Sequence, residues 1–378
     1  MTDKCIFGAG KINELPILLD KYKPKKVFLV TGKDSYIKSG ARASLEKILS
    51  GIRVCRYFDF SENPKLEDLF KGVELFHNFK PNIIIAIGGG SVIDTAKLLS
   101  IMPVDKKIAE NIIKGEFLVP KRKIPFITIP TTAGSGSEAT HFAVVYLERE
   151  KYSVAAESLL PDFAILDPEV TYSLPEKLTA ISAFDAFSQA IESYWAVGST
   201  SESRQYAAES IKIITKIFNK LITDPNKNSR SLMLRAAHLS GKAINISKTT
   251  GPHAVSYALT MHYKIPHGYA VILTLPAFFL FNGNSSKEKI DKKLSFEEHK
   301  RRISGLCKLL DVSDSTTAAE KIKLMVSEAG FSTKLSDLGL KKEQDIKVLV
   351  DSVNMERLNN HPVRINEKNL KKILYSAW

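Results

Sequence analysis

An aspartate and two histidines in the second half of the chain are the residues best suited to hold a metal ion. Asp185 precedes Gln189 by four positions, which places both on one face of a helix. His253 follows a Gly-Pro pair, and His267 stands between a proline and a glycine. Carboxylate oxygen and imidazole nitrogen suit Fe²⁺ or Zn²⁺. Isolated histidines are usually structural, so spacing alone leaves metal binding and a structural role both open.

Two glycine-rich segments in the first half could bind a dinucleotide. The first, Gly88, Gly89, Gly90 and Ser91, comes directly after the apolar run 83–87 and is followed by Asp94. Glycines let the backbone approach a diphosphate, and free amides at a helix start favour an anion. A tight turn between strand and helix is the alternative. The segment matches neither G-x-G-x-x-G nor a Walker loop, which weakens the ordinary Rossmann and nucleotide-hydrolase interpretations.

The second segment contains hydroxyl residues that could hydrogen-bond another part of the same cofactor, namely Thr131, Thr132 and Ser135. Alone, such a run is more often a flexible loop. Because both segments follow predicted parallel strands, we expect them to converge at the carboxyl edge of one sheet.

The elements that must position these residues divide the chain into two predicted domains. Residues 1–172 alternate apolar runs at 27–31, 54–58, 83–87, 126–130 and 163–166 with amphipathic segments at 34–50, 65–79 and 91–102, plus a hairpin pattern over 142–155. This predicts an α/β domain with a doubly wound parallel sheet that binds the dinucleotide. Residues 173–378 carry helical periodicity at 175–197, 203–222, 228–246 and 252–263, beginning with a capping box at Ser173, and predict an all-α domain that binds the metal.

Taken in order, these motifs resemble the group III, iron-containing alcohol dehydrogenases over nearly the whole chain. The resemblance rests on Gly88-Gly-Gly-Ser-x-x-Asp94-x-x-Lys97, Pro130-Thr-Thr-x-Gly134-x-Gly136-Ser-Glu138, Pro161-Asp-x-Ala-Ile-x-Asp167-Pro, Asp185-Ala186 and Pro266-His267-Gly268. It implies a nicotinamide-dependent reductase of small aldehydes, assisted by Fe²⁺ or Zn²⁺. It also implies that Asp185, His253 and His267 are metal ligands, with His267 in the catalytic centre, and that the chain forms a homo-oligomer.

Two positions depart from the family pattern. The fourth ligand is usually a histidine and is here Gln189, a neutral and weaker ligand. A histidine associated with proton relay is here Tyr257, which could donate a proton or simply hydrogen-bond. Residues 185–195 and 248–257 resemble the phosphonoacetaldehyde reductases, which form 2-hydroxyethylphosphonate. A phosphonate would need cationic or amide donors, for which the candidates are Lys248, Thr249, Arg357 and Arg364.

The cofactor preference follows from the residues after the first predicted strand. NAD-preferring relatives commonly carry an aspartate there, which binds the ribose 2′-hydroxyl. This chain has Gly32 and Lys33 instead. A 2′-phosphate would therefore escape repulsion and could pair with Lys33, so we expect NADP(H) in preference to NAD(H).

Composition restricts the partners. The net charge of +13 comes mostly from scattered lysines, and the chain has neither a zinc finger nor an RNA-recognition signature, so we expect no nucleic-acid partner. We also expect no membrane partner, because no apolar run approaches the roughly 20 residues that span a bilayer. Three widely spaced cysteines and the lack of a secretory pattern predict a cytoplasmic protein. Two alternatives remain: a lyase like dehydroquinate synthase, which uses NAD transiently, and a catalytically silent ligand-binding relative.

Overall fold

All strands of the first half except the first, which was not predicted, coincide with the apolar runs or the hairpin pattern, in a computed structural model that describes residues 4–61, 64–147 and 150–378. The strands are β1 (Cys5–Phe7), β2 (Lys26–Thr31), β3 (Arg53–Tyr57), β4 (Ile83–Gly88), β5 (Phe126–Pro130), β6 (Phe142–Leu147), β7 (Glu150–Ala155) and β8 (Phe163–Leu166). Six of them form a sheet in the order β1-β8-β5-β4-β2-β3, and every neighbouring pair is parallel. The predicted hairpin is the separate antiparallel pair β6 and β7.

Alternate residues of the central strands are buried on opposite faces of this sheet. Along β2, Val27 and Leu29 join one apolar cluster, whereas Phe28 and Val30 join another. Each cluster includes helical residues, so both faces are covered. This is the arrangement predicted for a doubly wound parallel sheet, and it explains why the strands read as continuous apolar runs.

The helices of the first half are α1 (Leu15–Tyr22), α2 (Ser35–Lys38), α3 (Ala41–Ile48), α4 (Leu66–Phe79), α5 (Gly90–Leu99) and α6 (Lys106–Lys114). The predicted helix over 34–50 is wrong as a single element. Gly40 adopts a left-handed φ of 76°, which ends α2 and lets α3 begin in a new direction.

The second half is helical, as predicted. Its helices are α7 (Glu176–Trp195), α8 (Ser201–Thr223), α9 (Lys227–Ser247), α10 (Gly251–Tyr263), α11 (His267–Gly283), α12 (Phe296–Leu309), α13 (Ser315–Glu328), α14 (Lys342–Ser352) and α15 (Glu367–Ser376). By contact density the chain divides into the units Met1–Leu174 and Pro175–Trp378, compared with the boundary at 172/173 expected from the sequence.

The start of α7 differs from the prediction. Ser173 does not cap it: Pro175 occupies the N-cap position and no side chain caps the helix. Capping boxes occur instead on the next two helices, where Thr200 pairs with Ser203 and Asn226 pairs with Ser229. Across the described residues, no helix combines the length and apolar character needed to cross a membrane.

Candidate metal centre and dinucleotide-binding loops

Three helices of the second unit bring Asp185, His253 and His267 together. Asp185 lies in the middle of α7, His253 in the first turn of α10, and His267 is the first residue of α11. Their donor atoms all lie within 4.8 Å of one another. Asp185 Oδ1 is 3.3 Å from His253 Nε2 and 4.0 Å from His267 Nε2. One carboxylate and two imidazole nitrogens at this spacing fit a divalent cation such as Fe²⁺ or Zn²⁺.

Glu192 orients His253 from the side opposite to Asp185. Its Oε1 contacts His253 Nδ1, and its Oε2 accepts hydrogen bonds from Thr250 N (2.6 Å) and Thr250 Oγ1 (2.9 Å). Glu192 is fully buried, so these contacts replace its hydration. A carboxylate on the far nitrogen of a ligand histidine fixes the ring and raises its basicity.

The same carboxylates change the protonation of His253. Burial alone lowers the pKa of its imidazole, but Glu192 and Asp185 outweigh burial and raise the pKa to about 9. Between them the two acids therefore hold a proton on the ring at neutral pH when no cation competes for it. A cation bound at Nε2 would take the place of that proton.

His267 is oriented by a neutral partner. Ser256 Oγ donates its proton to His253 O at 2.8 Å, so toward His267 Nδ1, 3.3 Å away, it can act only as an acceptor. This arrangement leaves the proton of His267 on Nδ1 and its Nε2 lone pair toward Asp185. The next residue must be glycine, because a Cβ on Gly268 would lie 2.1 Å from Ile181 O of α7.

Tyr257 and Arg357 extend the cluster on its more exposed side. The Tyr257 ring stacks on the His267 ring, with centroids 5.7 Å apart and planes within 8°. The Arg357 guanidinium lies 4.7 Å from the Tyr257 centroid and also hydrogen-bonds its hydroxyl. Burial raises the pKa of Tyr257, and Arg357 opposes that effect. Because arginine can only donate, its hydrogen bond uses a lone pair of the phenol oxygen and not the phenol proton.

Gln189 is buried on the same face of α7 as Asp185. Its Oε1, the atom that could coordinate a cation, lies 3.1 Å from Ser240 Oγ, but the single proton of that hydroxyl has a closer acceptor in Ala237 O at 2.8 Å. Coordination by Gln189 would therefore disturb only a contact that Ser240 shares with Ala237 O.

The two glycine-rich segments of the first unit meet, as expected from their positions after neighbouring strands. Thr131 N donates to Gly88 O at 3.0 Å, and a Cβ on Gly90 would lie 2.7 Å from Ser135 Oγ. Gly89 is the N-cap of α5, near Thr132, and Ser91 lies in the first turn of that helix. Thr131 Oγ1 is buried without a hydrogen-bond partner among the described residues. This unsatisfied hydroxyl beside open helix amides fits a bound dinucleotide.

Asp94 faces the interior of this unit. One of its oxygens accepts from Ser137 Oγ and the other from Val144 N at 3.0 Å. Lys97 is fully buried one turn later on α5, and its Nζ donates to Ser137 O, Thr140 Oγ1 and Phe142 O at 2.7–3.0 Å. These contacts indicate that Asp94 and Lys97 hold the second loop against α5, a supporting role that the sequence had not separated from direct cofactor contact.

The remaining residues proposed to bind the cofactor or a phosphonate have contacts, within the part of the chain that the structure describes, that do not connect them to the metal cluster or to the glycine-rich segments. Gly32 directly follows the last residue of β2, and Lys33 after it is exposed. Lys248 is exposed at the end of α9 with a left-handed φ of 61°, and Thr249 O accepts from Asn360 Nδ2 at 2.9 Å. Arg364 donates to Glu288 O, a contact that engages its guanidinium away from the residues named above.

Sequence reasoning missed Glu192, Ser256 and the pairing of Arg357 with Tyr257. Glu192 had one signal, since it follows Asp185 by seven residues and Gln189 by three and thus shares their helix face. Its partner His253 is 61 residues away, and no spacing rule connects them.

Comparison with known proteins agrees with this geometry. The family model described as iron-containing alcohol dehydrogenase matches residues 2–168, and the model for the C-terminal part of the same family matches residues 179–378. An NADPH-dependent butanol dehydrogenase from Clostridium saccharobutylicum is 30% identical, over 98% of this chain and 95% of its own. A sulfoacetaldehyde reductase from Bilophila wadsworthia is 29% identical, over 95% and 93% of the two chains.

A solved structure is also similar over nearly the whole length. The sulfoacetaldehyde reductase from Bifidobacterium kashiwanohense, in complex with NAD⁺, superposes with a TM-score of 0.86 at 29% identity and covers 99% of this chain and 96% of its own. These relatives are dehydrogenases and reductases, which favours an oxidoreductase over a lyase or a silent binding protein. The chain belongs to the iron-containing alcohol dehydrogenase family and is an enzyme of the alcohol and aldehyde oxidoreductase type.

Proposed function

We propose that this enzyme reduces a small aldehyde carrying a tetrahedral anionic group, specifically phosphonoacetaldehyde, to the primary alcohol. NADPH is the proposed hydride donor, and Asp185, His253 and His267 are the proposed ligands of Fe²⁺ or Zn²⁺. The observation that carries the substrate class is the position of Arg357, one aromatic ring away from the ligand His267.

The segment that bears Arg357 is held firmly beside α10. It is a short 3-10 helix, Met355–Asn360, whose last residue donates from Nδ2 to Ser247 O (2.7 Å) and to Thr249 O (2.9 Å). A planar guanidinium fixed in this way can donate two parallel hydrogen bonds to a phosphonate or sulfonate, which a flexible lysine cannot match. Relatives named sulfoacetaldehyde reductase support this class of substrate, since sulfonate and phosphonate share their tetrahedral oxyanion geometry.

The residues around Asp185, His253 and His267 have separate roles in the proposed reaction. When bound, the divalent cation supplies Lewis acidity toward the carbonyl oxygen, and the nicotinamide supplies the hydride. Glu192 and Ser256 keep the Nε2 atoms of the two imidazoles turned toward the proposed position of the cation. The Tyr257 hydroxyl is the proposed proton donor to the product oxygen, with bound water as the alternative. Arg357 would stabilise the phenolate left on Tyr257 after that transfer.

The proposed preference for NADP(H) is supported by the residue that follows β2. Position 32 carries no side chain, so no carboxylate stands at the end of β2 to repel a 2′-phosphate. Among the relatives, the butanol dehydrogenase is described as NADPH-dependent, whereas the sulfoacetaldehyde reductase structure contains NAD⁺.

The test measures NADPH oxidation after loading with Fe²⁺ or Zn²⁺, using phosphonoacetaldehyde, sulfoacetaldehyde and propionaldehyde. We expect kcat/KM for phosphonoacetaldehyde to exceed that for the uncharged aldehyde by roughly 10- to 100-fold, the range that charge-assisted hydrogen bonds supply. Arg357→Met should remove most of this advantage. It should lower kcat/KM for propionaldehyde by a smaller factor, because that substrate loses only the stabilisation of the Tyr257 phenolate. Arg364→Met is the matched control and should change neither. Equal rates for charged and uncharged aldehydes in the unmodified enzyme would overturn the substrate class, and preference for sulfoacetaldehyde would correct the anion.

A further inference from the structure

Arg56 is a half-buried cation at the end of the strand next to β2. It lies in β3, in register with Leu29 of β2. Its Nε donates to Thr31 Oγ1 at 2.9 Å and its Nη2 to Gly32 O at 3.2 Å. Both contacts attach the guanidinium to the turn at the carboxyl end of β2. In open parallel sheets, this edge is where ligands bind.

Two aromatic rings contact this guanidinium. Its central carbon lies 4.6 Å from the Tyr36 centroid and 4.3 Å from the Phe58 centroid. Contact with two rings restricts the orientation of the guanidinium. Within the described ranges, Nη1 donates to no protein acceptor and no carboxylate lies within 4.0 Å of the Arg56 nitrogens. The site thus presents N–H donors and positive charge without a carboxylate in direct contact. Glu46, which acts on Arg56 from farther away, is hydrogen-bonded to Arg42.

The turn beside Arg56 contains Gly32, Lys33, Asp34 and Ser35. A Cβ on Gly32 would lie 2.1 Å from Ser35 Oγ, so the serine hydroxyl occupies the direction in which a longer residue would extend. Lys33 is exposed directly after Gly32. Burial lowers the pKa of Arg56, as expected for a cation whose hydration is only partly replaced. Asp34, exposed at the N-cap of α2, is the acidic residue closest in sequence to this turn.

We propose that Arg56 determines the cofactor preference of this enzyme by binding the 2′-phosphate of NADP(H), together with the Lys33 ammonium. This inference rests on the proposed function, because it presumes that the adenosine of the cofactor reaches the end of β2. Discrimination between NADP(H) and NAD(H) would then depend on a cation on β3 as well as on the lack of a carboxylate at position 32. The bidentate edge of Arg56 matches two phosphate oxygens, and Lys33 adds a second, flexible charge.

Two adenosine fragments provide a test that does not depend on catalysis. Calorimetric titration of the enzyme with adenosine 2′,5′-bisphosphate and with adenosine 5′-monophosphate isolates the 2′-phosphate. The unmodified enzyme should bind the bisphosphate more tightly. Arg56→Gln should weaken binding of the bisphosphate by roughly 10- to 100-fold and change binding of the monophosphate less than about twofold. Arg56→Lys should retain part of the preference, because it keeps the charge without the bidentate edge.

Arg53→Gln is the matched control: the same residue type on the same strand, exposed, at its opposite end. It should leave both affinities unchanged. If the unmodified enzyme prefers the bisphosphate and Arg56→Gln keeps that preference, Arg56 is not the determinant although the NADP preference stands. An equal loss of affinity for both fragments in Arg56→Gln would also overturn the inference, because it would show that Arg56 only supports the turn. If the unmodified enzyme does not distinguish the fragments, the proposed NADP preference itself fails.

Discussion

Replacing Glu192 with glutamine should weaken metal binding without removing a ligand. Glu192 is fully buried and serves three donors, His253 Nδ1 through one oxygen and the Thr250 amide and hydroxyl through the other. Glutamine keeps the size of the side chain but offers one oxygen, so either His253 or Thr250 loses its acceptor. Loss of such a supporting carboxylate typically costs 10- to 100-fold in metal affinity, about 1.4–2.8 kcal/mol.

This loss of metal affinity should depend on pH, and the structure predicts that it becomes larger as the pH rises. Because the carboxylates raise the pKa of His253 to about 9, a proton competes with the cation in the unmodified enzyme at every pH below that value. Glutamine at position 192 lowers that pKa and so weakens the competition. The affinity difference between the two proteins should therefore be largest near pH 9 and should shrink toward pH 7.

The measurement is a competition titration of chelator-treated protein with Zn²⁺ and a chromophoric chelator at pH 7 and pH 9. Glu176→Gln, on the exposed first turn of the same helix, is the control and should bind like the unmodified protein. The thermal midpoint of each metal-free variant separates a metal effect from partial unfolding. Affinity of Glu192→Gln within twofold of the unmodified protein at pH 9, or a difference that grows as pH falls, would refute the reasoning.

Three further expectations follow from the contacts of single residues. Replacing His267 with alanine should abolish aldehyde reduction. Dinucleotide binding, measured by calorimetry, should persist because the glycine loops belong to the other unit. Equal loss of reduction and of dinucleotide binding would contradict this division. Changing Ser256 to alanine should lower Zn²⁺ affinity by about tenfold, since His267 Nδ1 loses its acceptor; an unchanged titration would contradict it. Lys97→Met should leave the second loop's acceptors unsatisfied and weaken dinucleotide binding. Because burial lowers the pKa of Lys97 from 10.5 to about 8, the folded protein binds fewer protons than the unfolded chain between these values. The stability that Lys97 contributes should therefore rise with pH in that range, and denaturant unfolding of both proteins at pH 7.5 and 9.5 should show a growing difference.

The sheet was predictable because burial on both faces leaves a simple pattern. Runs such as 83–87 are apolar at every position, and no amphipathic helix has that pattern. The short helices α1 and α6 were missed, since eight or nine residues give too few turns for a periodic signal. The expected capping box at Ser173 failed because Pro175 occupies the N-cap itself.

The candidate site was predictable only as far as residue types and motif order reach. Arg357 and Arg364 are seven residues apart and were equivalent candidates in the sequence. The structure distinguishes them: one stacks on Tyr257, and the other donates to a backbone carbonyl at residue 288. Such a distinction depends on which helices pack together, and composition and spacing do not contain that information.

In the proposed metal site, we expect the amide at position 189 to affect which metal is preferred more than whether a metal binds. Asp185 contributes one negative charge directly and Glu192 a second through His253, which together balance a divalent cation while both imidazoles are neutral. Gln189 is neutral, as a histidine would be, so it leaves this balance unchanged. It offers an oxygen, 3.1 Å from the Ser240 hydroxyl, in place of a nitrogen. Imidazole suits Zn²⁺ and Fe²⁺ alike, whereas an amide oxygen is the harder and weaker donor. Gln189→His should therefore raise the Zn²⁺ affinity of the chelator-treated protein, by at least about tenfold if the new imidazole completes a tetrahedral site. Ser240→Ala is the control for loss of the existing contact between Ser240 and Gln189. An unchanged Zn²⁺ affinity in Gln189→His would mean that position 189 does not reach the cation, and that the three remaining ligands define the site.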